Sequence, residues 1–319
     1  MPALITHYVL AERVFSALKR EGAPVPDREA ALWGAQGPDL FFFHRILPWE
    51  PGRSLAREGS RMHKISPARL FEGFRAVLAS ARGAEYDRMR GYIEGFFCHY
   101  ALDRTAHPYV LYWQQVLARE QPAYGRSGHT YHFRIESALD TILLRRETGR
   151  SIRDFRLSGV LPGENPAVDM AIGHLFEPLL PRLFGTQGVD AAAIAKAPAD
   201  MRRVARLMTD RRQLRRRFLV RPIEVVSRQG HFASSLLRPD RTDDWDYANE
   251  AHKAWHNPAD PALVSRDSFF DLYALAAAEA RDMIVAFRAA LPTGQPMKEI
   301  TQDRGFSSDL PGVYEETAI

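Results

Sequence analysis

The chain has 319 residues, of which 45% are hydrophobic and 26% charged, with a formal net charge of +4. That is the balance of an ordinary globular protein able to bury a substantial core. A single cysteine, Cys98, excludes an internal disulfide, and no run of about 18 apolar residues exists to make a membrane-spanning helix.

The N-terminus, Met1-Pro2-Ala3-Leu4-Ile5-Thr6-His7, has no basic leader, and Glu12 and Arg13 interrupt any apolar run. No secretory signal is visible, so a cytoplasmic protein is expected. Leu4, Tyr8, Ala11, Phe15 and Leu18 recur at helical spacing and predict a first amphipathic helix, closed by Gly22 and Pro24. Residues 28–35 read as a short helix running into the loop signal Gly37-Pro38-Asp39. Residues 47–59 are rich in Pro and Gly and predict irregular structure. Ser66-Pro67 starts a helix expected to reach about Ala81. Residues 87–106 predict the central helix, with Pro108 kinking it or opening the next. Further helices are predicted at 131–146 and at about 166–183, 198–218 and 261–290. Strand signals are scarce, so the expected fold is all-α, a multi-helix bundle forming one domain over 1–290. The tail 291–319 has few apolar anchors and is expected to be poorly ordered.

The chemistry concentrates on two of these helices. His99, Asp103 and His107 stand four residues apart, twice over, and form one stripe on one helix face. His132, Glu136 and Asp140 repeat the spacing. His99 lies among Phe96, Phe97 and Leu102, and His132 near Phe133, Ile135 and Leu139. Ionisable groups buried there are costly without a metal or a hydrogen-bond partner. His7 and Asp39 also stand among apolar neighbours. Nitrogen and carboxylate ligands without thiolates suit zinc. Cys98 is read as a small core residue.

The ordered set of these residues resembles the zinc-dependent phospholipase C family, which includes secreted bacterial phospholipases and alpha-toxins. That family shares its fold with zinc-dependent single-strand nucleases. The resemblance rests on Pro2-Ala3-Leu4-Ile5-Thr6-His7, Gly34-Ala35-Gln36-Gly37-Pro38-Asp39, Met62-His63, Cys98-His99-Tyr100-Ala101-Leu102-Asp103 with His107, and His132-Phe133-Arg134-Ile135-Glu136. It covers roughly residues 2–145 and thins beyond, apart from the segment 250–258. It implies a helical bundle around a cluster of two or three zinc ions. Asp39, His63 and His99 would hold one ion, with Asp103 bridging to a neighbour. His107, His132 and Glu136 would hold a second, and His7 with Asp103 a third. In the family the first residue's amino group and carbonyl complete that third site. The mature secreted enzymes begin with Trp, whereas here Met1 precedes Pro2, and removal of Met1 would make Pro2 the possible N-terminal ligand. The step from Asp103 to His107 is also shorter than in the secreted enzymes.

The resemblance implies a phosphodiester hydrolase of phospholipase C type, in which metal-activated hydroxide attacks phosphorus in line and Asp39 orients or deprotonates the water. Its substrate would be a phosphoester, phospholipid among them. The alternatives are nuclease or phosphomonoesterase chemistry on the same site, or a non-enzymatic metal-stabilised module binding anionic partners. Arg104 and Arg134 lie beside ligand positions and read as solvated arginines, with phosphate contact as the alternative. His129 could replace His132 as a ligand. Asp140 reads equally as a carboxylate orienting a ligand histidine or as a surface acid. His44, His174 and His231 read as surface or core residues, and His252 and His256 as an unrelated pair or a cap on the site. Phe41, Phe42 and Phe43 read as core, with an apolar pocket wall as the alternative. The run Arg202–Arg221 carries nine arginines against Asp210. It reads as a solvated face, or as a peripheral contact with an anionic membrane or nucleic acid.

Overall fold

From Gly91 to Val110 the chain offers almost no polar face: Asp103 and His107 are the two residues of this stretch that are not buried. A helix apolar all round belongs in the middle of a core. The computed structural model places it there and describes residues 4–47, 49–125, 127–156, 159–210, 212–227 and 236–314. The helices in chain order are α1 (Leu4–Arg20), α2 (Arg28–Gly34), α3 (Ala56–Met62), α4 (Pro67–Leu78), α5 (Gly83–Glu120), α6 (Gly128–Thr148), α7 (Pro166–Phe176), α8 (Leu179–Phe184), α9 (Ala191–Ile194), α10 (Lys196–Met208) and α11 (Arg221–Ser227). Beyond them lie α12 (Phe269–Thr293) and α13 (Met297–Thr301). The fold is all-α apart from one small sheet. The central helix is α5, packed mainly against α2 and α12 and also against α1, α6 and α7.

Two features set the closeness of that packing. A Cβ on Gly95 would stand 1.9 Å from the Ala31 carbonyl oxygen, and one on Gly34 would stand 1.9 Å from that of Tyr92. Glycine at both positions lets the backbones of α2 and α5 touch. On the other side, the fully buried Glu94 receives Arg288 of α12 at 2.6 Å and Arg90 at 2.8 Å. Such a carboxylate is tolerated because both oxygens are paired.

The structure departs from the predicted elements where local capping decides. Helix α5 runs through Pro108 to Glu120, because Tyr109, Val110, Trp113 and Leu117 are buried and hold the next turns in place. The helix predicted at 166–183 breaks around Pro178, whose missing N–H interrupts the hydrogen-bond ladder. The helix predicted at 198–218 ends at Met208, where Thr209 turns extended, and a separate helical turn follows at Arg216–Val220. Residues 261–268 are not helical. Strands β1 (Trp255–Asn257) and β2 (Asp260–Ser265) form an antiparallel hairpin. Helix α12 starts only at the capping box of Ser268 and Asp271, in which each side chain bonds the other's backbone N–H. Within 47–59, α3 already begins at Ala56.

The segment after Leu291 is anchored, against the expectation from its composition. Met297 and Phe306 are fully buried. Asp303 accepts hydrogen bonds from Ser66 Oγ at 2.6 Å and Ala68 N at 3.2 Å, at the start of α4. Its anchors are few, but they are buried side chains and a buried carboxylate with two hydrogen bonds, which a composition count undervalues. Residues 315–319 lie outside the described residues.

The α2–α5 contact predicts that Gly95→Ala destabilises the protein by about 1–3 kcal/mol, although alanine is the better helix former. Urea unfolding should register the loss. An unchanged or raised midpoint would mean that the two backbones do not meet as described.

Candidate metal centre

Five elements bring the ligand-type side chains together. His7 comes from the first turns of α1. Asp39 comes from the short 3-10 helix Gly37–Phe43 that follows α2. His63 is the residue that caps α3. Helix α5 supplies His99, Asp103 and His107, and α6 supplies His132 and Glu136. Gly37 is required here, since it has φ +56° and a Cβ would fall 2.3 Å from the His99 ring.

Asp103 is the hub. Its carboxylate oxygens lie 3.4 Å from His7 Nε2, 3.4 Å from His63 Nε2, 3.3 Å from His99 Nε2 and 3.9 Å from His107 Nδ1. Asp39 Oδ1 stands 3.2 Å from His63 Nε2, which in turn is 3.4 Å from His99 Nε2. On α6, His132 Nε2 lies 3.2 Å from Glu136 Oε1, and its ring centre is 5.1 Å from that of His107. The His7 and His99 rings stack at 4.3 Å.

These side chains form three groups able to hold a cation. They are His7, His99 and Asp103; Asp39, His63 and His99; and His107, His132 and Glu136, with ligand atoms within 4.8 Å of one another in each. All eight ligands expected from the sequence are therefore gathered. Pro2 lies outside the described residues. His129 is exposed, faces the Phe133 ring and belongs to none of the groups, which leaves the α6 position to His132.

The chemistry of the donors fits divalent cations. Three carboxylates stand among five imidazoles, and this set of N and O donors is that of a borderline metal. The outer bonds of two histidines aim the ring nitrogens inward. His63 Nδ1 lies 2.9 Å from the Gly59 carbonyl oxygen, and His132 Nδ1 lies 2.9 Å from Gln114 Oε1. A proton on each Nδ1 satisfies these acceptors and leaves Nε2 with its lone pair toward the cluster.

Electrostatics divide the histidines. Burial would lower His63, but the hydrogen bonds it donates to the Asp103 and Asp39 carboxylates outweigh it and carry its pKa up to about 10. Burial dominates at His107 and lowers it to about 4. His99 is likewise lowered, chiefly by burial. Burial would raise Asp103, but His99 and His63 hold it well below the usual carboxylate range. Asp39 shifts down in the same way, against its burial, with His63 and His99 among the causes.

Other readings of the sequence are corrected. Asp140 neither touches a ligand histidine nor lies at the surface. It is fully buried, accepts Thr6 N at 2.8 Å and Thr6 Oγ1 at 2.7 Å, and pairs with Arg238 Nε at 2.6 Å, so it fixes the turn that carries His7. Arg104 and Arg134 are buried rather than solvated. Arg104 binds the Thr301 carbonyl at 3.2 Å and Glu279 at 2.8 Å. Arg134 donates to Tyr247 Oη at 2.7 Å, Gln121 at 2.8 Å and Asp243 at 2.5 Å, which spends its fork on the protein. Cys98 is a buried core thiol. His44 is buried between the Ala193 carbonyl and Leu55 N. His174 pairs with Glu85 at the surface, and His231 lies outside the described residues. His252 and His256 bond the carbonyls of Arg266 and Pro261 in the hairpin region and join none of the three groups.

Sequence reasoning missed Gln114 and Phe306. Gln114 follows His107 by two helical turns, a spacing that marks a shared face. Phe306 packs 5.5 Å from the His63 ring and 6.4 Å from that of His99, and nothing in its neighbourhood of the sequence announces this.

Comparison of the chain with models of known families, with curated proteins and with solved structures finds no match in any of the three.

Three outcomes follow from this geometry. Asp103→Asn should cost the protein at least one bound metal ion, read by elemental analysis after dialysis, whereas full retention would deny Asp103 its linking role. Gln114→Ala should weaken metal binding by about 10–100-fold with the fold intact by circular dichroism, because His132 loses its outer partner. Filling the Asp39, His63 and His99 group at pH 8 should expel the His63 proton, while His107, already neutral there, contributes none. Calorimetry in two buffers of different ionisation heat measures the release, and zero protons per chain would contradict the description.

Proposed function

We propose that the chain is a zinc-dependent phosphodiester hydrolase of phospholipase C type. The single observation behind this reading is the convergence of the three ligand groups on Asp103. Converging nitrogen and carboxylate donors of this density serve hydrolysis of phosphate esters better than a lone structural ion, which needs only four closed ligands. The ligand order along the sequence, which resembles the zinc phospholipases C, supports the same choice.

Access also favours chemistry over a sealed structural site. The side chains of His63, Asp103, His107 and His132 keep 12%, 13%, 19% and 12% of their surface open. A cleft lined by His7, Asp103, His107 and Glu136 is walled on its apolar side by Val110, Leu139 and Phe269. Phe42, half-buried, stacks 5.8 Å from His63 and adds an apolar edge, while Phe41 and Phe43 are core.

Zinc held there supplies Lewis acidity toward phosphoryl oxygens and lowers the pKa of water to about 7. Asp39, kept ionised by its surroundings, orients the attacking water and takes its proton. His107 and Glu136 line the cleft with Asp103, His132 completes their group, and the phosphoester binds there. The new bond forms between the water oxygen and phosphorus as the bond to the leaving oxygen breaks; the proton taken by Asp39 passes through solvent to that oxygen, so the alcohol departs neutral and Asp39 is ionised again.

Elemental analysis of purified protein should find two or three zinc ions per chain. Lecithin, single-stranded nucleic acid and chromogenic phosphate esters, offered to the zinc-loaded protein, separate the possible reactions. Turnover of lecithin supports the lipid substrate. Turnover confined to nucleic acid or monoesters moves the assignment to a nuclease or phosphomonoesterase, and no turnover of any of them leaves a metal-stabilised binding module. Asp39→Asn should lower kcat by about a hundredfold or more, as the loss of a general base does.

A further inference from the structure

The arginine-rich run divides into two parts. Its beginning is structural. Arg202 is buried, donates to Asp169 at 2.9 Å and to the Gly163 carbonyl at 3.0 Å, and lies over the Trp33 ring. Arg203 pairs with Glu50 and Asp200. The part from Arg212 to Ile223 is different. Its exposed residues are Arg212, Arg215, Arg217 and Arg221 together with Leu214, Phe218, Leu219, Pro222 and Ile223, and no other residue type is exposed in it.

Both halves of that list are unusual at a protein surface. Phe218 is 66% exposed and Leu219 57%, whereas none of the other described phenylalanines is exposed. Large apolar side chains left in water together mark a contact surface. The segment contains no Asp or Glu between Arg212 and Ile223. Among the described residues, none of its arginines forms an ion pair, and the buried Nε of Arg216 has no hydrogen-bond partner. Arg216, Arg217 and Arg221 line one shallow concavity with Gln213, and Arg216 and Arg221 also border a second beside Tyr124 and Arg241.

We infer that the segment Arg212–Ile223 docks the protein on a bilayer bearing anionic phospholipid headgroups. The mixture of side chains selects this partner. A bare polyanion such as nucleic acid would satisfy the arginines but leave Leu214, Phe218 and Leu219 in water. An interface of anionic headgroups over acyl chains takes both, with the apolar side chains entering about 5–10 Å and the arginines reaching phosphate. Leu214 and Phe218 stand one helical turn apart and enter on the same side. The docking goes beyond the hydrolase reading and does not depend on it, since none of these residues is a metal ligand.

Flotation of the full zinc-loaded chain with vesicles tests it, using phosphatidylcholine alone and phosphatidylcholine mixed with phosphatidylglycerol. Binding to the mixed vesicles should be at least about tenfold tighter and should weaken as salt is raised. The double variant Phe218→Ser and Leu219→Ser should lose about tenfold in affinity for the mixed vesicles. Arg215→Glu with Arg217→Glu should abolish the preference for anionic lipid. All variants should keep the zinc content and melting temperature of the parent, because the positions are exposed. Equal binding to both vesicle types, or no binding to either, overturns the proposal. So does loss of binding in the arginine variant with the Phe218 and Leu219 variant unchanged, the pattern of a nucleic-acid or other polyanion site, which single-stranded RNA would then compete for.

Discussion

One carboxylate organises this molecule. Asp103 lies on the most deeply buried helix and has four imidazoles within 3.9 Å. A negative charge in that position is too costly to leave bare, and histidine partners alone leave much of the charge of three neighbouring carboxylates in place. The three side-chain groups around it could hold cations that would resolve the conflict, and five elements bring those side chains together. Helix α1 brings His7, the 3-10 helix brings Asp39, α3 ends on His63, and α6 lies alongside with His132 and Glu136.

The rest of the fold serves that arrangement through close contacts rather than through mass of core. Glycines at 34 and 95 let α2 approach α5, and Gly37 lets the chain pass over the His99 ring. Asp140 fixes the turn that carries His7 from the middle of α6. The C-terminal segment closes the other flank. Arg104, one residue after Asp103, ties α5 to Thr301 and Glu279, and Phe306 is pressed against His63 and His99. A segment with few apolar residues thus packs directly on the site through Phe306.

What the sequence made legible is what periodicity encodes. The four-residue spacing of His99, Asp103 and His107 placed them on one face, and the apolar residues around them marked that face as buried. The all-α class followed from the same pattern. What escaped was fixed by partners distant in sequence. Arg134 looked solvent-facing because its acceptors, Tyr247 and Asp243, lie more than a hundred residues away. Strand β2, Asp260–Ser265, falls in the stretch that periodicity assigns to a helix at 261–290, because a strand this short carries too little alternation to register, while the capping box at Ser268 sets where the helix begins. Asp140 shared the ligand spacing but points to Thr6 and Arg238, which spacing alone does not distinguish from a ligand stripe.

The arginine run shows the same limit from another side. In sequence its arginines are equivalent, yet Arg202 is a buried structural cation and Arg217 an exposed one. The most direct test of the central claim is anomalous X-ray scattering at the zinc edge from crystals of the zinc-loaded protein. Two or three peaks, one of them in contact with Asp103 and each within bonding distance of one of the three side-chain groups, are the result this account predicts. A zinc-loaded crystal with no peak at Asp103, or with zinc bound only at surface histidines such as His174 or His252, would contradict it.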